Sequence, residues 1–157
     1  MRTAEQLRYL ILAAQREGNR RLTVMLSEIG VTPAQSEALR IIADHGPLAL
    51  RELGDMLVCD TGQSPSRIVD RLVAVGLVER TVGEHDRRQV RLTLTAAGRD
   101  RARRVAEIEN RLYDLLDHAV EGTDVGAFIA FLSAFTHQSP AGLALDRRLA
   151  AQEGPTP

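Results

Sequence analysis

Lysine is missing from this chain, cysteine occurs once, and no apolar run has the length of a membrane span. Each absence narrows what the chain can be. A single cysteine, Cys59, excludes an internal disulfide framework and a multi-cysteine zinc site, and reads as a small buried residue. A membrane helix needs roughly 20 consecutive apolar residues, and the N-terminal MRTAEQLRYLILAAQRE lacks a signal-peptide cleavage pattern, so the expected compartment is the cytoplasm with no membrane partner. No motif assembles a nucleophile, a base and an orienting acid, so no catalytic residues and no enzyme are expected. The four histidines form no cluster with cysteine or carboxylates, so neither a metal nor another cofactor is expected.

With lysine absent, all 20 basic residues are arginine, and their distribution matters more than the net charge of −1. Residues 61–104 carry ten Arg against five acids, giving +5, whereas residues 105–157 carry three Arg against eight acids, giving −5. The middle of the chain is a basic island, and arginine forks suit phosphates and guanine edges. At 157 residues and 44% hydrophobic composition, the chain is predicted to fold as one unit, 1–157.

Apolar residues at Leu7, Leu10, Ile11, Ala14, Leu22, Met25, Leu26 and Ile29 have helical spacing and predict a long first helix ending near Gly30. Gly18 interrupts it and marks a place for a bend or a close helix approach. Thr32, Pro33 and Gln35 form the start signal of a second helix that Gly46-Pro47 ends. LALRELGDMLVC predicts a short third helix, DTGQSPS a break, and RIVDRLVAVG a fourth helix stopped by Gly76. That order is a helix-turn-helix. LVERTV, a polar turn GEHDRR and QVRLTLT then predict a hairpin, with Val90, Leu92 and Leu94 alternating against Gln89, Arg91, Thr93 and Thr95. A hairpin after a recognition helix is a wing. Thr95 is a plausible cap for a long helix carrying Val105, Ile108, Leu112, Leu115, Leu116 and Ala119, and Thr123 for a further one. That last helix, DVGAFIAFLSAFTHQ, is apolar nearly all round, so it predicts a subunit interface. The tail AQEGPTP is expected to fray.

The segments TPAQSEALRIIADHGPLALRELGDML, SRIVDRLVAVGLVER and HDRRQVRLTLTAAG, in that order and spacing, resemble the MarR family of winged helix-turn-helix repressors over about residues 32–98. The resemblance implies a mainly α fold with a small β wing, in which a lobe of residues 32–95 is flanked by long dimerisation helices at 4–29 and 98–137. It further implies a homodimeric repressor that binds double-stranded DNA at a near-palindromic operator and is released by a small aromatic or lipophilic effector. A recognition helix over 64–75 would place Gln63, Ser64, Ser66 and Arg67 near the major groove, Arg67 matching an arginine of the family. Arg71 is a phosphate contact or a salt-bridge partner, while Ile68, Val69, Leu72 and Val75 read as core. Pro65 departs from the family pattern, and implies that Ser64 caps the helix and Pro65 takes its first position.

In the wing, Arg88 is the candidate for the minor groove, where a narrow groove concentrates negative potential. The resemblance assigns Asp86 to orienting Arg88, and Arg87 and Arg91 are expected to meet phosphates. Arg8, Tyr9, Arg16 and Tyr113 are candidate effector-lining residues. Two alternatives stand beside this reading: a redox switch through Cys59, and a winged helix that binds protein instead of DNA.

Overall fold

Thr32 and Gln35 close the start of α2 (Pro33–His45) on each other. The Thr32 amide donates to Gln35 Oε1 at 2.9 Å and the Gln35 amide to Thr32 Oγ1 at 3.3 Å, with Pro33 in the first turn where no amide is needed. The computed structural model describes residues 2–59, 62–82 and 90–153. Around α2 stand α1 (Thr3–Ser27), α3 (Leu50–Met56), α4 (Pro65–Ala74), β1 (Val78–Val82), β2 (Val90–Leu94), α5 (Ala96–Ala119), α6 (Val125–Thr136) and α7 (Pro140–Glu153). The chain is therefore mainly α with a small antiparallel β hairpin, a winged helix-turn-helix flanked by long helices.

The core lies in the lobe. Leu26 of α1, Leu39 and Ile41 of α2, Leu53 of α3, Leu72 of α4, Val78 and Leu92 of the hairpin and Val105 of α5 are almost wholly enclosed. Burying each Leu or Ile contributes about 1.5–3 kcal/mol, so α4 is held by Ile68, Val69 and Leu72 against α2 and β1. Val75, expected in the core, is 66% exposed: it ends α4 with non-helical backbone and points away from the apolar face.

β1 and β2 pair antiparallel with Val78 opposite Leu94, Arg80 opposite Leu92 and Val82 opposite Val90. Leu48 adds a short edge by exchanging backbone hydrogen bonds with Leu92 at 2.7 and 3.3 Å. Leu92 and Leu94 point inward, but Val90 is exposed, because the hairpin runs out beyond the core at that end.

Thr95 joins hairpin to α5. Its hydroxyl accepts from the Gly98 amide at 3.0 Å and donates to the Gly76 carbonyl at 2.7 Å. Gly98 is required by contact, since a Cβ there would stand 1.9 Å from the Leu77 carbonyl oxygen.

Outside the lobe the sequence expectations need three corrections. α1 runs unbroken through Gly18, which has no neighbour within 4 Å of a would-be Cβ, so no close helix approach occurs there among the described residues. The cap of α6 is Asp124, whose carboxylate accepts from the Ala127 amide at 3.1 Å, while the Thr123 hydroxyl donates backward to Val120 O at 2.6 Å. The helices do not end at residue 137: α7 follows and packs on α3 and α6. The apolar α6 buries no residue within the protomer.

Candidate nucleic-acid interface

Pro65 opens α4, as its fixed φ and missing amide favour. Ser64 holds the cap position, but its hydroxyl meets the Ser66 hydroxyl at 2.9 Å and takes no amide, so the expected Ser64 cap is present in place and absent in bonding. The helix spans 65–74, one residue shorter at each end than predicted.

With Ile68, Val69 and Leu72 locked inward, helical spacing turns Arg67, Asp70, Arg71 and Ala74 outward, and all four are exposed. The Arg67 amide donates to the Ser64 carbonyl at 3.0 Å, and its guanidinium makes no hydrogen bond or ion pair among the described residues. Arg71 is anchored, its Nη1 donating to Gln63 Oε1 at 3.0 Å, which ties Gln63 to α4. Asp70 accepts from Arg80 at 2.6 Å and fastens α4 to β1. Among the described residues the outward face thus presents the unengaged guanidinium of Arg67 and a second, Arg71, held in place, next to the Ser64–Ser66 pair.

In the wing, Arg91 meets the Glu52 carboxylate of α3 at 2.7 Å. The same Glu52 oxygen accepts from the Ala49 amide at 2.6 Å at the start of α3. Asp86, Arg87 and Arg88 lie outside the described residues.

The effector candidates are not gathered at one place in the protomer. Arg8 lies over the Tyr9 ring at 5.1 Å and Arg16 is exposed farther along α1. Tyr113 is on α5, its phenol pushed up by burial and then by the Glu109 carboxylate. Glu109 is itself pushed up by burial, against the pull of Arg40 and Arg148. A cleft of about 600 Å³ opens instead between α2, β2 and α5, where Arg40, Arg99, Arg103 and the carboxylate of Glu107 stand among mostly apolar residues such as Ile42, Ala43, Pro47, Leu94 and Ala106. Arg99 is held by the Leu94 carbonyl at 2.8 Å, Arg40 by Glu109 at 3.4 Å and Arg103 by the Asp100 carboxylate, so all three cations are already oriented.

Cys59 is exposed rather than buried. Its thiol is nevertheless pushed up to about 12, by desolvation first and by the Glu37 carboxylate second, which keeps it protonated. Sequence reading missed Glu37, a buried carboxylate of α2 whose partners are 21, 22 and 111 residues away. Local patterning carries no signal for such pairs.

Residues 29–89 match the family model described as the MarR family. An organic hydroperoxide resistance transcriptional regulator of Bacillus subtilis is 30% identical over 98 residues, 62% of this chain and 66% of that protein's length. The transcriptional regulator SarZ of Staphylococcus epidermidis is 26% identical over 120 residues, 76% of this chain and 80% of that protein. Among solved structures, a cysteine-to-serine mutant of MarR from E. coli complexed with operator DNA superposes with a TM-score of 0.72 at 27% identity, covering 83% of this chain and 93% of that one.

Proposed function

The chain belongs to the MarR family of transcriptional regulators, and from that premise we propose that it is a homodimeric repressor that binds a near-palindromic operator and leaves it when a small effector binds. The observation that carries the DNA reading is the outward face of α4: its inner side is fixed in the core while Arg67 stands exposed and unengaged among the described residues, on the lobe that superposes on an operator-bound relative. Arg67 reads a guanine edge, Gln63, Ser64 and Ser66 touch bases or phosphates beside it, and Arg71 contacts phosphate. Arg88 enters the minor groove with Asp86 orienting it, and Arg87 and Arg91 meet the backbone.

The homodimer reading is supported by apolar surface that the protomer leaves open. Tyr9 and Leu10 of α1, Leu115 and Leu116 of α5, and Phe128, Ile129 and Phe135 of α6 are all more than half exposed. A surface of this extent marks an interface, and the dimerisation region accordingly comprises residues 4–29 and 98–137, beside a reading lobe of 32–95.

The effector reading is supported by the cleft between α2 and α5. Its apolar walls and its Arg40, Arg99 and Arg103 suit a small aromatic or lipophilic acid. Tyr113 lies farther along α5, and Arg8, Tyr9 and Arg16 lie on α1, none of them among the residues lining this cleft. Release requires that the effector favour a spacing of the two lobes that the operator does not.

Selection from a pool of random duplexes tests the function. The reading expects enrichment of two inverted half-sites with centres about one helical turn apart. Recovery of sequences without inverted symmetry would sink it.

A further inference from the structure

Glu37 is a charged residue with 6% of its surface exposed, and the cost of such burial is met only if its oxygens are fully engaged. They are. Oε1 accepts from the Val58 amide at 2.8 Å and from Arg148 at 3.2 Å, and Oε2 accepts from the Cys59 amide at 2.9 Å. Val58 and Cys59 follow α3 and open the connection into α4. Glu37 therefore fastens the start of that connection to α2, whose Ala38, Leu39, Ile41 and Ile42 are packed into the core.

The third partner comes from the far end of the chain. Arg148 sits on α7, is one of the less exposed residues of that helix, and also lies in the field of Glu109. Its neighbour Arg147 donates to the Asp55 carbonyl of α3 at 3.2 Å, a second tie between α7 and the helix-turn-helix.

α7 in turn is joined to α6 by a tight corner. The Ser139 amide donates to Thr136 O at 2.7 Å, the Ser139 hydroxyl accepts from the Gly142 amide at 3.0 Å, and a Cβ on Gly142 would stand 2.0 Å from Thr136 O. Only glycine fits there, so the direction of α7 is set by α6. α6 carries the exposed Phe128, Ile129 and Phe135, and a displacement of that helix would be delivered through the corner to Arg148.

We propose that Glu37 and Arg148 are positioning residues for DNA reading: Arg148 of α7 orients the buried Glu37 carboxylate, which holds the Val58 and Cys59 amides and so sets the entry into α4. The proposal rests on α4 being the recognition helix. It makes α7 the element through which the apolar α6 surface and the reading head inform each other.

The test compares the full-length wild type with Arg148→Met, which keeps the side-chain stem but removes the guanidinium, and with Arg148→Lys, which keeps the charge. Amide hydrogen exchange is followed residue by residue, and DNA affinity is measured on a selected duplex and on a scrambled one. In Arg148→Met, exchange at Val58 and Cys59 is expected to rise, and the preference for the selected duplex to fall about tenfold, with binding to the scrambled duplex and exchange at Leu39 unchanged. Arg148→Lys is expected to recover much of both losses. Unchanged exchange at Val58 and Cys59 would overturn the proposal, as would a rise spread evenly over α2 and α4 or a loss of the oligomer in either variant. A wild type that prefers no duplex overturns the underlying DNA reading instead, and shows itself before any variant is made.

Discussion

Arg91 of β2 and Glu52 of α3 meet at 2.7 Å, 39 residues apart in sequence, and join the base of the wing to the helix-turn-helix. The pair is partly exposed, so its contribution to stability is small, about 0–1 kcal/mol. Its larger effect is on how much positive charge the wing offers to DNA. Glu52→Gln keeps an acceptor for the Ala49 amide and removes one negative charge beside Arg91. This variant is expected to bind any duplex more tightly, with a salt dependence steeper by about one unit of log–log slope. Anisotropy titrations over a range of salt concentrations check it, and an unchanged slope would show that Arg91 takes no part in phosphate binding.

The contact of Gly98 with the Leu77 carbonyl makes the start of α5 intolerant of any side chain. Gly98→Ala must move either α5 or the segment that enters β1, at a cost of about 1–3 kcal/mol. Thermal denaturation should show a lowered Tm, and a wild-type Tm would mean that the helix slides at no cost. Thr95→Ala, which removes an acceptor for the Gly98 amide and a donor to Gly76 O, is expected to cost about 1 kcal/mol. Thr95→Ser should restore most of it.

Cys59 gives a pH prediction. Its thiol is raised from an ordinary 9.0 to about 12, so at pH 9 the folded protein holds it protonated while the unfolded chain is substantially thiolate. Since the thiolate is the nucleophile, alkylation by iodoacetamide at pH 9 should be more than about tenfold slower in the folded protein than in urea. A raised pKa also means that this group's contribution to stability is present below pH 9 and is lost as pH rises toward 12. Equal alkylation rates would contradict both statements and would reopen a redox role for this residue.

Leu72 anchors α4 from beneath, with 1% of its surface exposed. Leu72→Ala is expected to destabilise the lobe by about 2–5 kcal/mol, and to weaken DNA binding through the loosened helix even though Leu72 touches no nucleic acid. Denaturant unfolding measures the first and anisotropy the second. Lost stability with full affinity would mean that the inner packing of α4 does not set its reading face.

Much of this lobe was legible because its determinants are local. The Thr32–Gln35 capping box, Pro65 at the first position of α4, the Gly76 stop and the inward Leu92 and Leu94 each depend on residues within a few positions of one another. Features that depend on distant pairs were not legible. Arg91 gave no sign of Glu52, and Glu37 reads as one more surface acid on a helix until α7 is placed beside it. α7 itself was missed because PAGLALDRRLAAQE offers Leu143, Ala144 and Leu145 in succession rather than a clean helical stripe. Val75 was misread for the opposite reason: it continues the apolar period of α4 one residue beyond the helix that would have buried it.

The most direct test of the account is Arg67 on operator DNA. Fluorescence anisotropy of the wild type and of Arg67→Ala, on the chain's own upstream fragment and on a scrambled duplex at two salt concentrations, separates base reading from charge. The account predicts salt-sensitive preference of the wild type for the upstream fragment, and a loss of about 1–3 kcal/mol in Arg67→Ala confined to that fragment. Equal weakening on both duplexes would reduce Arg67 to a phosphate contact. Unchanged affinity on both would contradict the assignment of α4 as the element that reads DNA.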